Sequence, residues 1–339
     1  MPRRLRTRTS VLLAAAILSL AAGCSLNDGK GAPGARRGPI EGTFIQYQDW
    51  MMKMDERAWH RELDAMQRAG IRLIIIQWLE MNDSRFIPSD SAAVDPTRII
   101  LEYADTHEME VFIGLAYADL WWTRLKDQRY LTLAAQTSIQ VANEAWARYG
   151  RHRSFAGWYL PQELRDANYP SQHIDALRNF LKGLGDWCRT LSGGKRVLIS
   201  PSMSGLVPPE LFERSYTSLL LGSGVDVVIL QDGIGARGWD NDLEGHVVPY
   251  FRAMRAACQT AGVTMWSVIE IFHHGGKPSE SAPASIERVD RQLAAESPFV
   301  STFVMFDFFH YMSPYRGDAQ KRLYNDYLHE LVAPTGSSR

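Results

Sequence analysis

The sequence predicts an α/β chain folded as a single (β/α)8 TIM barrel, and three observations carry that prediction. From residue 40 onward, short apolar, β-branched or aromatic runs alternate with stretches of helical periodicity. The alternation repeats eight times. The strand-like runs are nearly continuous in apolar residues, as strands are when helices cover both faces of a parallel sheet. An open doubly wound sheet is the competing arrangement. It usually has fewer strands and opens on a glycine-rich turn, whereas the turn after Gln48 reads DWMMKMD and contains no glycine.

The first run, GTFIQYQ from Gly42, leads into a helix with Asp55 at its N-cap, Trp59, Leu63 and Met66 on one face, and Gly70 past its end. The second, RLIIIQWLE, ends at Glu80 and precedes a helix over about 95–107. The third, EVFIGLAYA, ends at Ala118, and a long helix then reaches Tyr149. The fourth, FAGWYLPQE, ends at Glu163, and its helix sets Ile174, Leu177, Leu181, Leu184 and Cys188 on one stripe. The fifth, RVLISPSMS from Arg196, is followed by a short helix after Pro208. The sixth, DVVILQDGIG from Asp226, precedes a helix with Pro249 in its first turn and Phe251, Met254 and Cys258 inside. The seventh, VTMWSVIEIF from Val263, precedes a helix carrying Ile286, Val289 and Leu293. The eighth, FVSTFVMFDFF from Phe299, precedes a last helix with Leu323, Tyr327 and Leu331. The barrel domain therefore spans residues 40–333, and residues 334–339 read as a disordered tail.

The segment before the barrel has another character. The arginine-rich MPRRLRTRTS precedes the apolar stretch VLLAAAILSLAAG, and Cys24 follows directly. A basic start, a short apolar region and small residues before a cysteine resemble a bacterial lipoprotein signal peptide over residues 1–23. The apolar stretch is shorter than the roughly 20 residues a spanning helix needs. The resemblance implies lipidation at Cys24 and a lipid-anchored protein of the cell envelope, at the periplasmic face or the outer membrane. Residues 24–39, rich in Gly, Pro and charge, read as a flexible tether between lipid and barrel. Cys188 and Cys258 are expected as buried free thiols on separate helices.

Lys and Arg number 37 against 38 Asp and Glu, a balance that lacks the basic footprint of a nucleic-acid binder. Nothing in the sequence calls for an oligomer, and a monomer is expected. In a TIM barrel the chemistry sits at the C-terminal ends of the strands. There the sequence places Gln46, Gln77, Trp78, Glu80, Tyr117, Trp121, Tyr159, Gln162, Glu163, Gln231, Asp232, Trp266, Glu270 and Asp307. Flat aromatic rings stack on sugar faces, and amides and carboxylates bond paired hydroxyls, so this rim suits a carbohydrate substrate. Of the ten tryptophans, Trp59, Trp146 and Trp187 lie on helices and are expected in the core. Gly275-Gly276-Lys277 is the single glycine-rich turn near strands seven and eight, a poor phosphate cradle.

GWYLPQE at the end of strand four and WSVIE at the end of strand seven resemble the signatures of the large clan of retaining glycoside hydrolases built on TIM barrels. The chain also resembles a family of bacterial envelope barrels described only as glycoside-hydrolase-like, with an aromatic-rich first strand, a helix ending in AG and a strand like IIIQW. The clan resemblance implies Glu163 as acid/base and Glu270 as nucleophile, with the other rim residues binding substrate. Such a pair works at about 5–5.5 Å separation for retention, and the acid must stay protonated. Gln162 stands where the clan has an asparagine that binds the sugar 2-hydroxyl. Gln231-Asp232 and Phe306-Asp307 stand where it often has tyrosine and tryptophan.

Asp232, Glu80 and Asp307 are reserve carboxylates, and an inverting pair of Glu163 with Asp232 satisfies the same sequence. A non-catalytic carbohydrate-binding or polysaccharide-assembly lipoprotein is the functional alternative. Strand one lacks the His-x-His of metal-dependent barrels, and the adjacent His273-His274 point apart, so no metal is expected. Neither a G-x-S-x-G elbow nor a coenzyme fingerprint occurs, and no cofactor is expected.

Overall fold

The computed structural model describes residues 39–89, 94–166, 171–275 and 277–332. The lipoprotein signal, Cys24, nearly all of the tether, Gly276 and the C-terminal tail lie outside the described residues.

Eight parallel strands close into a barrel. They are β1 (Gly42–Ile45), β2 (Leu73–Ile76), β3 (Glu110–Gly114), β4 (Phe155–Leu160), β5 (Arg196–Ile199), β6 (Val227–Gln231), β7 (Thr264–Glu270) and β8 (Phe303–Phe306). Each strand pairs with its neighbours in sequence, and β1 closes the ring on β8 through Gly42 opposite Val304 and Thr43 opposite Met305. One helix follows each strand: α1 (Glu56–Arg68), α2 (Pro96–Thr106), α3 (Gln128–Tyr149), α4 (Ile174–Ser192), α5 (Pro209–Leu220), α6 (Val248–Ala261), α7 (Ile286–Glu296) and α8 (Asp318–Tyr327). The predicted (β/α)8 barrel is the observed fold.

Local chemistry sets the helix ends where the sequence placed them. The Asp55 carboxylate accepts the Ala58 N–H at 2.7 Å, and Gly70 past α1 has φ +84°, a backbone conformation glycine adopts without a Cβ clash. Asp95 caps α2 in the same way, accepting the Arg98 N–H at 3.0 Å. The stripe of α4 from Ile174 to Cys188 is buried, and both Cys188 and Cys258 are buried free thiols. Trp187 departs from expectation. It lies one residue off that stripe, about 100° around the helix, and is 43% exposed with its Nε1 donating to Asn143 Oδ1.

Side chains alternate along each strand, so two cores result. Phe44, Ile75, Phe112, Leu198, Ile229, Val268 and Val304 fill the barrel interior. Their neighbours Ile45, Ile74, Ile113, Val228 and Ile269 pack outward against the helices. The interior rules out one predicted rim residue. Trp266 is the third residue of β7, counted from its start, so its ring plugs the lower barrel at a T-shaped contact with Phe112. The Arg196 guanidinium closes that floor over both rings.

The strands are shorter than the apolar runs because the chain leaves the ladder to build the rim. After β2, Glu80–Met81 pairs with Ser84–Arg85 and with Ala116–Tyr117 in a small three-stranded sheet. After β7, Phe272–Gly275 and Lys277–Pro283 form an antiparallel hairpin. Gly114, where β3 ends, has the Gln77 carbonyl oxygen 2.1 Å from where a Cβ would sit. Gly114→Ala is therefore expected to cost about 3 kcal/mol or more by forcing two backbones apart. Urea unfolding of the variant checks this, and a loss under about 1 kcal/mol would contradict the packing described.

Candidate active site

Alternation decides which strand-end residues face the barrel mouth. Gln46, Gln77, Glu163, Gln231 and Glu270 continue the inward-facing series of their strands. The Gln46 amide donates to Gln77 Oε1 at 3.1 Å, forming one polar wall. Opposite it, Ser202 Oγ donates to Glu163 Oε1 at 2.6 Å. Gln231 Nε2 donates to the Ser200 carbonyl at 3.0 Å, and Gln231 also hydrogen-bonds the Glu163 carboxyl. Glu270, 6% exposed, accepts the Ala236 N–H on Oε2 at 2.7 Å. That amide belongs to a short helix, Ile234–Arg237, brought close by Gly235, where a Cβ would lie 2.2 Å from the Phe272 carbonyl oxygen.

Both glutamates hold their protons more tightly than ordinary carboxyls. Burial raises Glu163, while Ser202, Gln231 and the positive charges of Arg165 and Arg237 pull it back. Burial also raises Glu270, and the negative charges of Asp232 and Glu163 add to the rise, against the Ala236 amide and Arg288.

Five other predicted residues occupy places the sequence did not distinguish. Trp78 is 5% exposed, donates Nε1 to the Tyr47 carbonyl and stacks on Tyr117, so its ring belongs to the core. Trp121 is buried as well, but its Nε1 donates to the backbone carbonyl of Glu163 at 2.7 Å and holds the loop that carries the carboxyl. Gln162 is 4% exposed and donates to the Ala116 carbonyl at 2.7 Å. Its amide is engaged by the Ala116 backbone and its side chain lines the cavity beside the rim, so it does not stand in for the asparagine of the clan. Asp232 is fully buried and turns toward α7, where Gln292 Nε2 donates to it at 2.5 Å. Asp307 is fully buried too and caps the short helix Phe308–Tyr311, accepting the His310 N–H at 2.8 Å. Asp232 is thereby excluded as an inverting partner at the mouth, and Asp307 as a sugar ligand.

Tyr159 is 3% exposed and packs edge-on against Phe44 within the barrel, its ring below the mouth. Glu80 and Tyr117 are half-buried in the small sheet. With Trp121 and Gln162 they line a cavity of about 220 Å3 bounded by Tyr130 and Leu133. This cavity backs onto the Glu163 loop through Trp121.

The sequence reading passed over several residues that contribute to the mouth. Ser202 is one of three serines in the run RVLISPSMS, with nothing in the spacing to single it out. Arg165, over the Trp122 ring at 5.3 Å, and Arg237, over Trp239 at 5.3 Å, carry the positive charge beside Glu163. Phe306 packs on Phe44 and Phe272 above the interior, and Tyr311 stacks on Phe272. Half-buried Trp50 donates Nε1 to Gln48 Oε1 at 2.7 Å in the loop after β1. Only the position of these residues at or after the C-terminal ends of the strands flags them in the sequence.

Because the Ser202 hydroxyl lowers the Glu163 pKa, Ser202→Ala is expected to raise it further, by about one to two pH units for a lost hydrogen bond to a charged acceptor. Carboxyl-carbon NMR titration of Glu163 checks this. An unmoved titration would mean that the hydroxyl does not tune the acid.

Comparison with known proteins places this geometry among related folds. No curated protein matches the sequence. Among solved structures, one described as a "putative alpha-L-fucosidase" from Bacteroides thetaiotaomicron aligns with a TM-score of 0.71 at 20% identity, over 90% of this chain and 99% of that one. A glycoside hydrolase family 5 protein from Bacteroides vulgatus aligns with a TM-score of 0.53 at 14% identity, over 85% of this chain and 64% of that one. A beta-galactosidase from the psychrophilic Marinomonas ef1 aligns with a TM-score of 0.53 at 11% identity, over 83% of this chain and 55% of that one. These likenesses establish the shared barrel fold. A family profile described as "Domain of unknown function (DUF4434)" matches residues 40–318, the whole barrel up to the start of α8, and the chain belongs to that family.

Proposed function

We propose that this protein is a glycoside hydrolase that cleaves a glycan by the retaining mechanism, with Glu163 and Glu270 as its two carboxyls. One observation carries the reading: the half-buried Glu163 carboxyl, on the loop after β4, and the buried Glu270 carboxyl, at the end of β7, face one barrel mouth, each held by directed donors. The solved structures with the same barrel described as a fucosidase, a family 5 glycoside hydrolase and a galactosidase support the class of reaction. In keeping with the resemblance of residues 1–23 to a lipoprotein signal peptide, we propose that the substrate lies in the bacterial envelope and that lipidated Cys24 tethers the barrel.

In this reading Glu163 gives its proton to the glycosidic oxygen as the bond to the anomeric carbon breaks. Glu270 attacks that carbon from the opposite face to form a glycosyl ester. A water then gives its proton to Glu163, its oxygen bonds the anomeric carbon, and Glu270 leaves as a carboxylate. Ser202 and Gln231 keep the Glu163 carboxyl oriented, and the Ala236 amide holds Oε2 of Glu270 so that Oε1 faces the sugar. Gln46 and Gln77 offer paired amides to sugar hydroxyls.

The charge distribution favours a second assignment of the roles. Arg165 and Arg237 stabilise a negative Glu163, whereas Asp232 and Glu163 disfavour a negative Glu270. The same mouth then works with Glu270 as acid and Glu163 as nucleophile. The proton belongs to the pair, and the pH–rate profile is expected to be a bell whose limbs report both carboxyls. Labelling with a 2-deoxy-2-fluoro glycoside separates the assignments: the ester is expected on Glu270, and an ester on Glu163 exchanges the roles.

Glu163→Gln and Glu270→Gln are each expected to lower turnover of an aryl glycoside about a thousandfold or more while sugar binding persists. Retained turnover in either variant would overturn that residue's role. Sugar binding with no turnover by the unaltered protein would favour the carbohydrate-binding alternative.

A further inference from the structure

Behind Glu270, away from the mouth, Arg288, Gln292 and Glu296 recur at every fourth residue of α7 and present one polar stripe to β7. They are 2%, 0% and 0% exposed. Arg288 Nη2 donates to the carbonyls of Glu270 at 2.6 Å and Phe272 at 2.8 Å, and its Nη1 meets Asp240 Oδ1 at 3.0 Å. Gln292 Nε2 donates to Asp232 Oδ2 at 2.5 Å and to the Glu270 carbonyl at 3.3 Å. The Glu270 amide points at the Asp232 carboxyl, 3.3 Å from Oδ2. The main chain of Glu270 is thus clamped on both sides by groups the sugar never touches.

Glu296 is the odd member. Ser267 Oγ donates to its Oε2, but Oε1 is buried and meets no donor among the described residues. The Glu296 carboxyl lies within hydrogen-bonding reach of the Asp232 carboxyl. Two buried carboxylates in contact repel, whereas a carboxyl and a carboxylate sharing one proton make a strong bond. The charged groups facing the pair are Glu270 from β7, Arg288 from α7 and, through Arg288, Asp240 with His273 beside it. Arg255 of α6 is spent on the carbonyls of Pro298 and Phe299. Arg288 is a single positive charge among three buried carboxyls.

We propose that Glu296 and Asp232 share one proton and act as positioning residues for Glu270, fixing its main chain and keeping one negative charge, rather than two, behind its carboxyl. The positioning role rests on the reading of Glu270 as a reacting carboxyl; the shared proton does not. Burial raises the proton affinity of both members.

A folded state that keeps a proton the unfolded chain releases loses stability as pH rises above the ordinary carboxylate range. The unaltered protein is therefore expected to become about tenfold easier to unfold per pH unit above the ordinary carboxylate range, for as long as the pair keeps its proton. Glu296→Gln leaves a single carboxylate, so its unfolding constant should lack that slope, and its stability relative to the unaltered protein should grow with pH. Urea unfolding across the range measures this. Infrared spectra in D2O at neutral pH should show protonated-carboxyl absorption from Glu270 and from the pair, and Glu296→Gln should remove the pair's share. Superimposable pH dependences, or a band unchanged by the variant, would overturn the shared proton.

The positioning role has its own readout. Asp232, with three donors, carries the pair's charge and Glu296, with Ser267 alone, its proton, so Asp232→Asn leaves a neutral Glu296 and should move the Glu270 limb of the pH–rate profile down by about one pH unit. An unmoved limb would overturn the positioning role. Absence of turnover in the unaltered protein would overturn both that role and the glycosidase reading, with the shared proton still decided by unfolding.

Discussion

Closure of eight parallel strands is the constraint on which the rest of this molecule depends. Once Gly42 pairs with Val304 and the ring is shut, every residue of every strand has an assigned side. Inward residues fill the barrel or reach its mouth; outward residues meet helices. Because the period is two, a shift of one residue exchanges the two fates. Three adjacent pairs show the consequence: Gln77 and Trp78, Gln162 and Glu163, Gln231 and Asp232. In each pair one side chain faces the mouth and its neighbour is buried in the outer layer.

The outward partners are not idle. Trp121 and Ala116 in the rim, and Gln292 and Arg288 in α7, tie down the chain on either side of Glu163 and Glu270. Glu270 ends its strand and is positioned by the barrel itself, whereas Glu163 lies three residues past β4 on a loop that Trp121 and Gln162 pin to the rim. The helix layer thus takes part in the site electrostatically as well as mechanically. The charge behind Glu270 comes from Asp232 in the outer layer, while the charge beside Glu163 comes from arginines stacked on rim tryptophans.

Much of this was legible in the amino-acid sequence because it follows from periodicity. The eight units, the cap at Asp55, the apolar stripe of α4 and the positions of Glu163 and Glu270 after strands four and seven all follow from spacing and residue type. The rim composition also reads directly, since amides, carboxylates and aromatics cluster where strands stop. What spacing does not carry is where a strand begins. Trp266 looked like a rim residue only because its run was apolar to both ends, and the ladder places it near the barrel floor. Arg288, Gln292 and Glu296 have a readable fourfold spacing, yet on a solvent-facing helix the same spacing would be a surface ion pair.

Local pattern encodes the fold class, the number and order of its units, and the two glutamates that follow or end strands four and seven. Only the tertiary structure decided which strand-end side chains share the mouth and which become core. It alone brought Ser202, Gln231 and the Ala236 amide onto the two carboxyls, and Asp232 with Glu296 behind one of them. The physical reason is that burial and charge proximity are properties of contacts between distant segments. Glu270 and Glu296 carry the same side chain, and their different surroundings come from what the closed barrel packs around each.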